Sequence, residues 1–273
     1  MTAASRVDRE WLARLAARLD TAPRESRLPL SIRGADGAAV VIGSIEPALA
    51  ARVSNAGLPL RESGDGSGGW RIDAADADQT NSALAGVAQW LHSNGLSAPW
   101  RGELLAVTDE SGASFGVIER AAVRPLGIAT FAVHLIAHDE QGQVWVQQRA
   151  FDKATDPGQW DTTMGGLASA SESLSQTLER ETWEEAGLRI DDLRDVQTFG
   201  RFTVRRPTPE GYMIEHIDMF EAVTPAGLTP VNQDGEVELF ERLGRGALIE
   251  RLHADAFTLE AAMILSTWLD AKV

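Results

Sequence analysis

Apolar residues recur at three- and four-residue spacing through Trp11, Leu12, Leu15, Ala16 and Leu19, which predicts a helix within the first 20 residues. Alternating runs then predict a hairpin, Leu28–Arg33 and Ala38–Ile45, turned at Gly34–Gly37. A short helix (Pro47–Asn55) and a strand (Leu58–Arg61) follow, then a glycine-rich segment, Gly64–Gly69. No helix opens directly behind those glycines, so they read as a flexible turn and not as a phosphate cradle. A helix over Asp76–His92 and strands Glu103–Val107 and Phe115–Glu119 complete a mixed α+β stretch.

The texture changes near Arg124-Pro125-Leu126-Gly127. Two strands are predicted at Ile128–His138 and Gln143–Arg149, then a short one near Trp160–Met164 that runs into Gly165-Gly166. A helix over Ser173–Ala186 stops at Gly187, where glycine suits the left-handed cap. Strands Val196–Val204 and Tyr212–Val223 flank a polar turn, Arg205–Gly211. Glu236–Arg242 and two helices, Leu243–His253 and Ala256–Asp270, end the pattern. The expected organisation is α+β: an accessory unit over 1–124 and a second unit over 125–273.

Composition narrows the function. Hydrophobic residues make up 44% and charged residues 24% of 273, which suits a packed globular core. No apolar run is long enough for a membrane span, and the first ten residues carry no apolar signal core, so a cytoplasmic location is expected. The absence of cysteine excludes disulfides, thiolate metal sites and cysteine nucleophiles. With 40 acidic against 25 basic side chains, the formal charge is −15. Nucleic acid is disfavoured as a partner, and phosphorylated small molecules would need a divalent cation to approach.

The chemistry concentrates in Gly166–Leu188, GLASASESLSQTLERETWEEAGL. On a helix, Glu181, Glu184 and Glu185 share one face with Leu174 and Leu178. A solvated acidic face is the ordinary explanation of such a run. Against it, the carboxylates repel one another and oppose the helix dipole near its C-terminus. Arg180 is the local residue that offsets this for one of them, and a hard divalent ion with oxygen ligands would offset it further.

Gly166, Glu172, Arg180-Glu181, Glu184-Glu185 and Gly187 stand at the spacing of the Nudix box, with Leu188 closing it, so this segment resembles the Nudix hydrolase family. The departure is Thr182, where the box has a bulky aliphatic residue. Trp183 beside it is expected to compensate for the loss of packing. Upstream, Trp145–Arg149, Lys153, Pro157-Gly158, Trp160-Asp161 and Gly165-Gly166 resemble Nudix domains related to isopentenyl-diphosphate isomerase. Together with Val41–Pro47 and Asp234–Val237 they resemble still more a subfamily related to thiamine pyrophosphokinase, which carries an extra N-terminal domain.

That resemblance implies an α/β/α sandwich with a mixed sheet over 125–273, hydrolysis of a diphosphate linkage, and Mg2+ or Mn2+. It implies metal ligands at Glu181, Glu185, Glu184 and the Gly165 carbonyl, with Arg180 holding the carboxylates. Glu172 either binds metal through water or caps the helix. A general base outside the box is sought at Glu236, then Glu238 and Glu215. Arg149, Lys153 and Trp160 are candidates for substrate binding. His134 and His138 share a strand face and read as packing, and Arg205-Arg206 read as hairpin turn. Two alternatives stand beside hydrolysis: a ligand-sensing module without turnover, and isomerisation, which that related family performs with a cysteine this chain lacks. Homodimerisation is left open.

Overall fold

The computed structural model describes residues 7–33, 37–64 and 68–272. Residues 1–6 of the N-terminus, 34–36 of the first expected turn and 65–67 of the glycine-rich segment fall outside them. Four strands, β1 (Leu28–Arg33), β2 (Ala39–Ile45), β3 (Leu60–Glu62) and β4 (Trp70–Ile72), form a sheet in the order β2-β1-β4-β3. Two helices, α2 (Pro47–Asn55) and α3 (Ala77–Ser93), close its core, burying Ala50, Val53, Leu84, Val87 and Leu91 against Leu30, Ile32 and Ile72. A separate hairpin, β5 (Leu104–Thr108) and β6 (Ser114–Glu119), packs on α3.

The second sheet is built on β7 (Ala129–His138), whose nearly continuous apolar run is buried on both faces. Beside it run β8 (Val144–Arg149), β9 (Trp160–Asp161), β10 (Met164–Leu167), β11 (Arg194–Thr208), β12 (Gly211–Val223) and β13 (Val237–Leu243). The order is β11-β12-β7-β8-β13, with β10 on β7 and β9 on β8. The β12–β7 pair is parallel and the rest are antiparallel, giving a mixed sheet. Alternate residues serve the two faces: Val133, Leu135 and Ala137 pack with Leu178 of α4 (Leu174–Ala186). Ala132 and Ile136 pack with α5 (Arg245–His253) and α6 (Leu259–Ala271). Each Val, Leu or Ile side chain among them withdrawn from water contributes about 1.5–3 kcal/mol, so the three layers hold.

Several expectations shift. The hairpin of β11 and β12 runs on to Thr208 and Gly211, because Arg205 and Arg206 pair with Ile214 and Met213, so these arginines stand on a strand and not in a turn. Leu243 ends β13 instead of opening a helix. Phe257 is held in a bridge to Trp160, and Thr258 caps α6 by accepting from Ala261 N at 3.2 Å. The opening helix α1 (Arg9–Leu19) also leaves its expected unit. Its Trp11, Leu15 and Leu19 lie in one core with Leu248, Leu252, Leu265 and Trp268, and the Trp11 ring meets His253 at 5.4 Å. The 1–124 unit therefore does not include the packing of its own first helix.

The connection before β7 is laced to β2. Ser44 N donates to the Leu126 carbonyl at 2.9 Å, and the buried Arg27 reaches the carbonyls of Ser44 and Pro125 at 2.5 and 2.6 Å. Gly43 must be glycine here, since a Cβ would stand 2.6 Å from the Leu126 oxygen.

Candidate active site

Helix α4 is fixed at both ends. Ser173 accepts from Gln176 N while the Gln176 side chain accepts from Ser173 N, a reciprocal capping box. Gly187 ends the helix in the left-handed region at φ 62°. Glu172 does not cap: its oxygens accept from Arg180 Nε at 2.7 Å and Nη2 at 2.8 Å. Those bonds hold its carboxyl down at about 2.

The same guanidinium turns Nη1 to Glu181 at 2.8 Å and to Glu184 at 3.0 Å, while Nη2 also reaches the Leu167 carbonyl at 3.3 Å. Arg180 thus offsets the repulsion among Glu172, Glu181 and Glu184, more than the single acid expected of it. Glu181 nevertheless sits against Gly166, and burial pushes its carboxyl up to about 7 against the pull of Arg180. Any Cβ at Gly166 would collide with the Glu181 carboxyl, which is why glycine stands there.

Glu185 is only 2% exposed and, among the described residues, has no contacting cation. Its Oε2 accepts from Gly165 N at 3.0 Å and from Gln147 Nε2 at 2.9 Å. Burial pushes this carboxyl up to about 8, with Glu181 adding to the rise. Thr182, one turn from the box's centre, is fully buried with its hydroxyl unpartnered. Trp183 does not fill in for it: the indole is 46% exposed and lies under Arg189 at 5.5 Å.

These side chains open on a cavity of about 390 Å3. Gly165, Glu181, Glu184 and Glu185 line it, as do Arg149, Lys153, Arg180 and Glu236. Lys153 Nζ is bonded to Glu236. Burial raises the Glu236 carboxyl, but Lys153, with Arg120 and Arg149, more than reverses this and leaves it below the usual range. Arg149 donates to Asp161 at 3.3 Å and to the Thr155 carbonyl at 3.0 Å.

Trp160 is not brought to the cavity. Its neighbour Asp161 lines it, so strand alternation turns the indole away, beneath Arg251 at 4.3 Å. Glu238 also stays out, whereas Glu215 lines the cavity. His134 lines it with Nδ1 at 2.9 Å from Thr162 Oγ1; burial lowers its pKa, so the ring is held neutral. His138 lies instead beside Trp268, 5.4 Å between rings.

Sequence reasoning missed Glu103, Arg120 and Arg124, which reach the cavity from before β7, and Asp161 and Glu260. It assigned Arg206 to a turn. Glu260 had a signal: an acid on the buried side of an otherwise apolar helix.

Among the described residues, no three His, Asp or Glu side chains gather closely enough to hold an ion by themselves. The donor chemistry still suits a hard cation. Glu181 and Glu185 are one turn apart, Glu185 buried and Glu181 partly so, and Glu181 raises the Glu185 carboxyl. Mg2+ is commonly held by one or two carboxylates, with water and substrate phosphate completing its shell.

Residues 129–259 match the family model for the NUDIX domain. An uncharacterised Nudix hydrolase of Pseudomonas aeruginosa is 34% identical over 105 residues, covering 38% of this chain and 60% of its own. Nudix hydrolase 24 of Arabidopsis thaliana, chloroplastic, is 28% identical over 170 residues, 60% of this chain and 46% of its own. An isopentenyl-diphosphate Delta-isomerase of Streptomyces avermitilis is 33% identical over 113 residues, 41% of this chain and 56% of its own. The chain spans about half the length of these curated relatives.

Proposed function

From the match of residues 129–259 to the NUDIX domain model, we propose that this chain hydrolyses the diphosphate linkage of a small organic or nucleoside diphosphate derivative with Mg2+ or Mn2+. The observation that carries the reading is the pair Glu181 and Glu185, two acids facing one cavity, the first bonded to Arg180 and the second, among the described residues, to no cation. A divalent ion bound there would neutralise phosphate oxygens and acidify bound water. Glu181 and Glu185 are its carboxylate ligands, joined by Glu184 and the Gly165 carbonyl. Arg180 is a positioning residue that fixes Glu181 and Glu184 through charge-assisted bonds.

Glu236 takes the proton of the attacking water. Its low pKa keeps it ionised at neutral pH, and its bond to Lys153 sets its place beside the reacting phosphate. Lys153 and Arg149 bind phosphoryl oxygens as the substrate enters. The similarity of Val41–Pro47 and Asp234–Val237 to the thiamine pyrophosphokinase-related subfamily favours a thiamine diphosphate-like substrate.

A hydrolysis screen with Mg2+ or Mn2+ across nucleoside, sugar, dinucleotide and thiamine diphosphates tests the reading. Glu184→Gln and Glu185→Gln should lower kcat by roughly 100-fold or more with the fold intact. Undiminished hydrolysis in both variants refutes it. Tight ligand binding without phosphate release would favour the sensing module. An allylic product from isopentenyl diphosphate would favour isomerisation, against the absence of cysteine.

A further inference from the structure

Part of the cleft lining is built from paired charges that the hydrolytic reading does not use. Glu215 on β12 accepts from Arg124 Nη2 at 3.0 Å and from Thr130 Oγ1 at 2.8 Å. Glu260, in the first turn of α6, accepts from Arg206 Nη2 on β11 at 3.2 Å. Both pairs line the same cavity as the α4 carboxylates. Paired charges in a protein interior are seldom more stable than apolar residues of the same volume. Stability alone does not account for two such pairs side by side.

The pairs are also incompletely satisfied. Arg124 Nη1 and Arg206 Nε are buried with no hydrogen-bond partner among the described residues. Glu260 is 9% exposed, and burial raises its carboxyl, with Glu215 and Asp161 adding repulsion that Arg206 only partly offsets. The cluster therefore has donors without acceptors and an acceptor short of donors, and leaving such groups unmet is costly. The apolar residues lining the cavity are few (Ala132, Leu167 and Met213), and no Phe, Tyr or Trp is among the lining. An aliphatic chain seated here would desolvate the ion pairs and return no hydrogen bond.

We propose that Arg124, Arg206, Glu215 and Glu260 form a recognition pocket for a substrate head group that bears both a hydrogen-bond acceptor and a donor. The acceptor meets the unpartnered guanidinium N–H groups and the donor meets Glu260. The pocket rests on the diphosphatase reading and names its substrate class: diphosphates with a polar organic head that carries both a donor and an acceptor, and not prenyl diphosphates. Arg124 precedes the matched domain at 129–259, so recognition draws on chain outside it.

The test uses the full chain with Mg2+ and matched short alkyl diphosphates, one ending in a primary amide, beside isopentenyl diphosphate. The amide compound should exceed isopentenyl diphosphate in kcat/KM by about 100-fold, as sites built to bond a polar group reject analogues lacking it. In Arg206→Met/Glu260→Met that ratio should fall toward unity. Glu260→Gln, which keeps the shape, should lower it about 10-fold by way of a weaker acceptor, and supplies the test if the double variant does not fold. Methylene-bridged analogues of both compounds, titrated by calorimetry, read the same preference without hydrolysis. Equal dissociation constants for the two analogues, or variants that lower both substrates equally, overturn the pocket. A wild-type chain that binds the amide analogue preferentially yet hydrolyses neither compound overturns the diphosphatase reading alone.

Discussion

Replacing Glu185 with Gln should make the metal-free protein more stable at alkaline pH while removing its activity. The Glu185 carboxyl is 2% exposed and pushed up to about 8, from an ordinary value of 4.5. A folded-state pKa above the unfolded one contributes stability that is fully present below the unfolded value and lost as pH rises through the folded one. At about 1.4 kcal/mol per unit, this side chain withdraws on the order of 3–5 kcal/mol between pH 4.5 and 8. Glutamine keeps an acceptor for Gly165 N. Gln147, whose Oε1 has no partner, can turn to accept from the new amide.

Urea unfolding in chelator at pH 5, 7 and 9 reads the difference. Wild type and Glu185→Gln should lie within about 1 kcal/mol at pH 5, and the variant should lead by several at pH 9. Glu181, pushed up to about 7, tilts both curves in the same direction and does not separate them. Adding Mg2+ at pH 9 should then raise the wild-type midpoint and leave the variant's nearly unmoved, by mass action on the folded state. Parallel curves across the whole range would refute the claim that Glu185 is an uncompensated buried acid.

Other outcomes follow from single contacts. Thr182→Val removes a fully buried, unpartnered hydroxyl at nearly constant volume, so it should add about 1 kcal/mol in a urea titration without changing kcat. Gly166→Ala drives a methyl into the Glu181 carboxyl and should cut kcat roughly 100-fold while circular dichroism stays native. Arg27→Met strands the Ser44 and Pro125 carbonyls and should lower the unfolding free energy by about 2–4 kcal/mol, visible as an earlier urea midpoint.

The parts of the molecule governed by short spacing were legible. Leu174, Leu178, Glu181 and Glu185 recur at three and four residues, so a single sequence places them on one face, and Gly187 marks where that helix ends. Long-range pairings were not. Arg124 meets Glu215 across 91 residues and Arg206 meets Glu260 across 54, separations at which no periodic pattern reports a contact. Trp160 was drawn toward the substrate by resemblance alone. The two-residue strand β9, whose alternation sends Asp161 to the cavity and the indole against the core of α5 and α6, is too short to show a pattern. The destination of α1 was hidden for a related reason: its stripe of Trp11, Leu15 and Leu19 states that a partner exists but not which one.

That destination governs the order of folding. The ribosome makes α1 long before the surfaces that receive it, α5 and α6. The helix must wait, solvated, while everything between is made, and the layer over β7 can seal only when α6 arrives. A nascent chain stalled before residue 245 should therefore leave α1 open to protease, and a completed one should shield it.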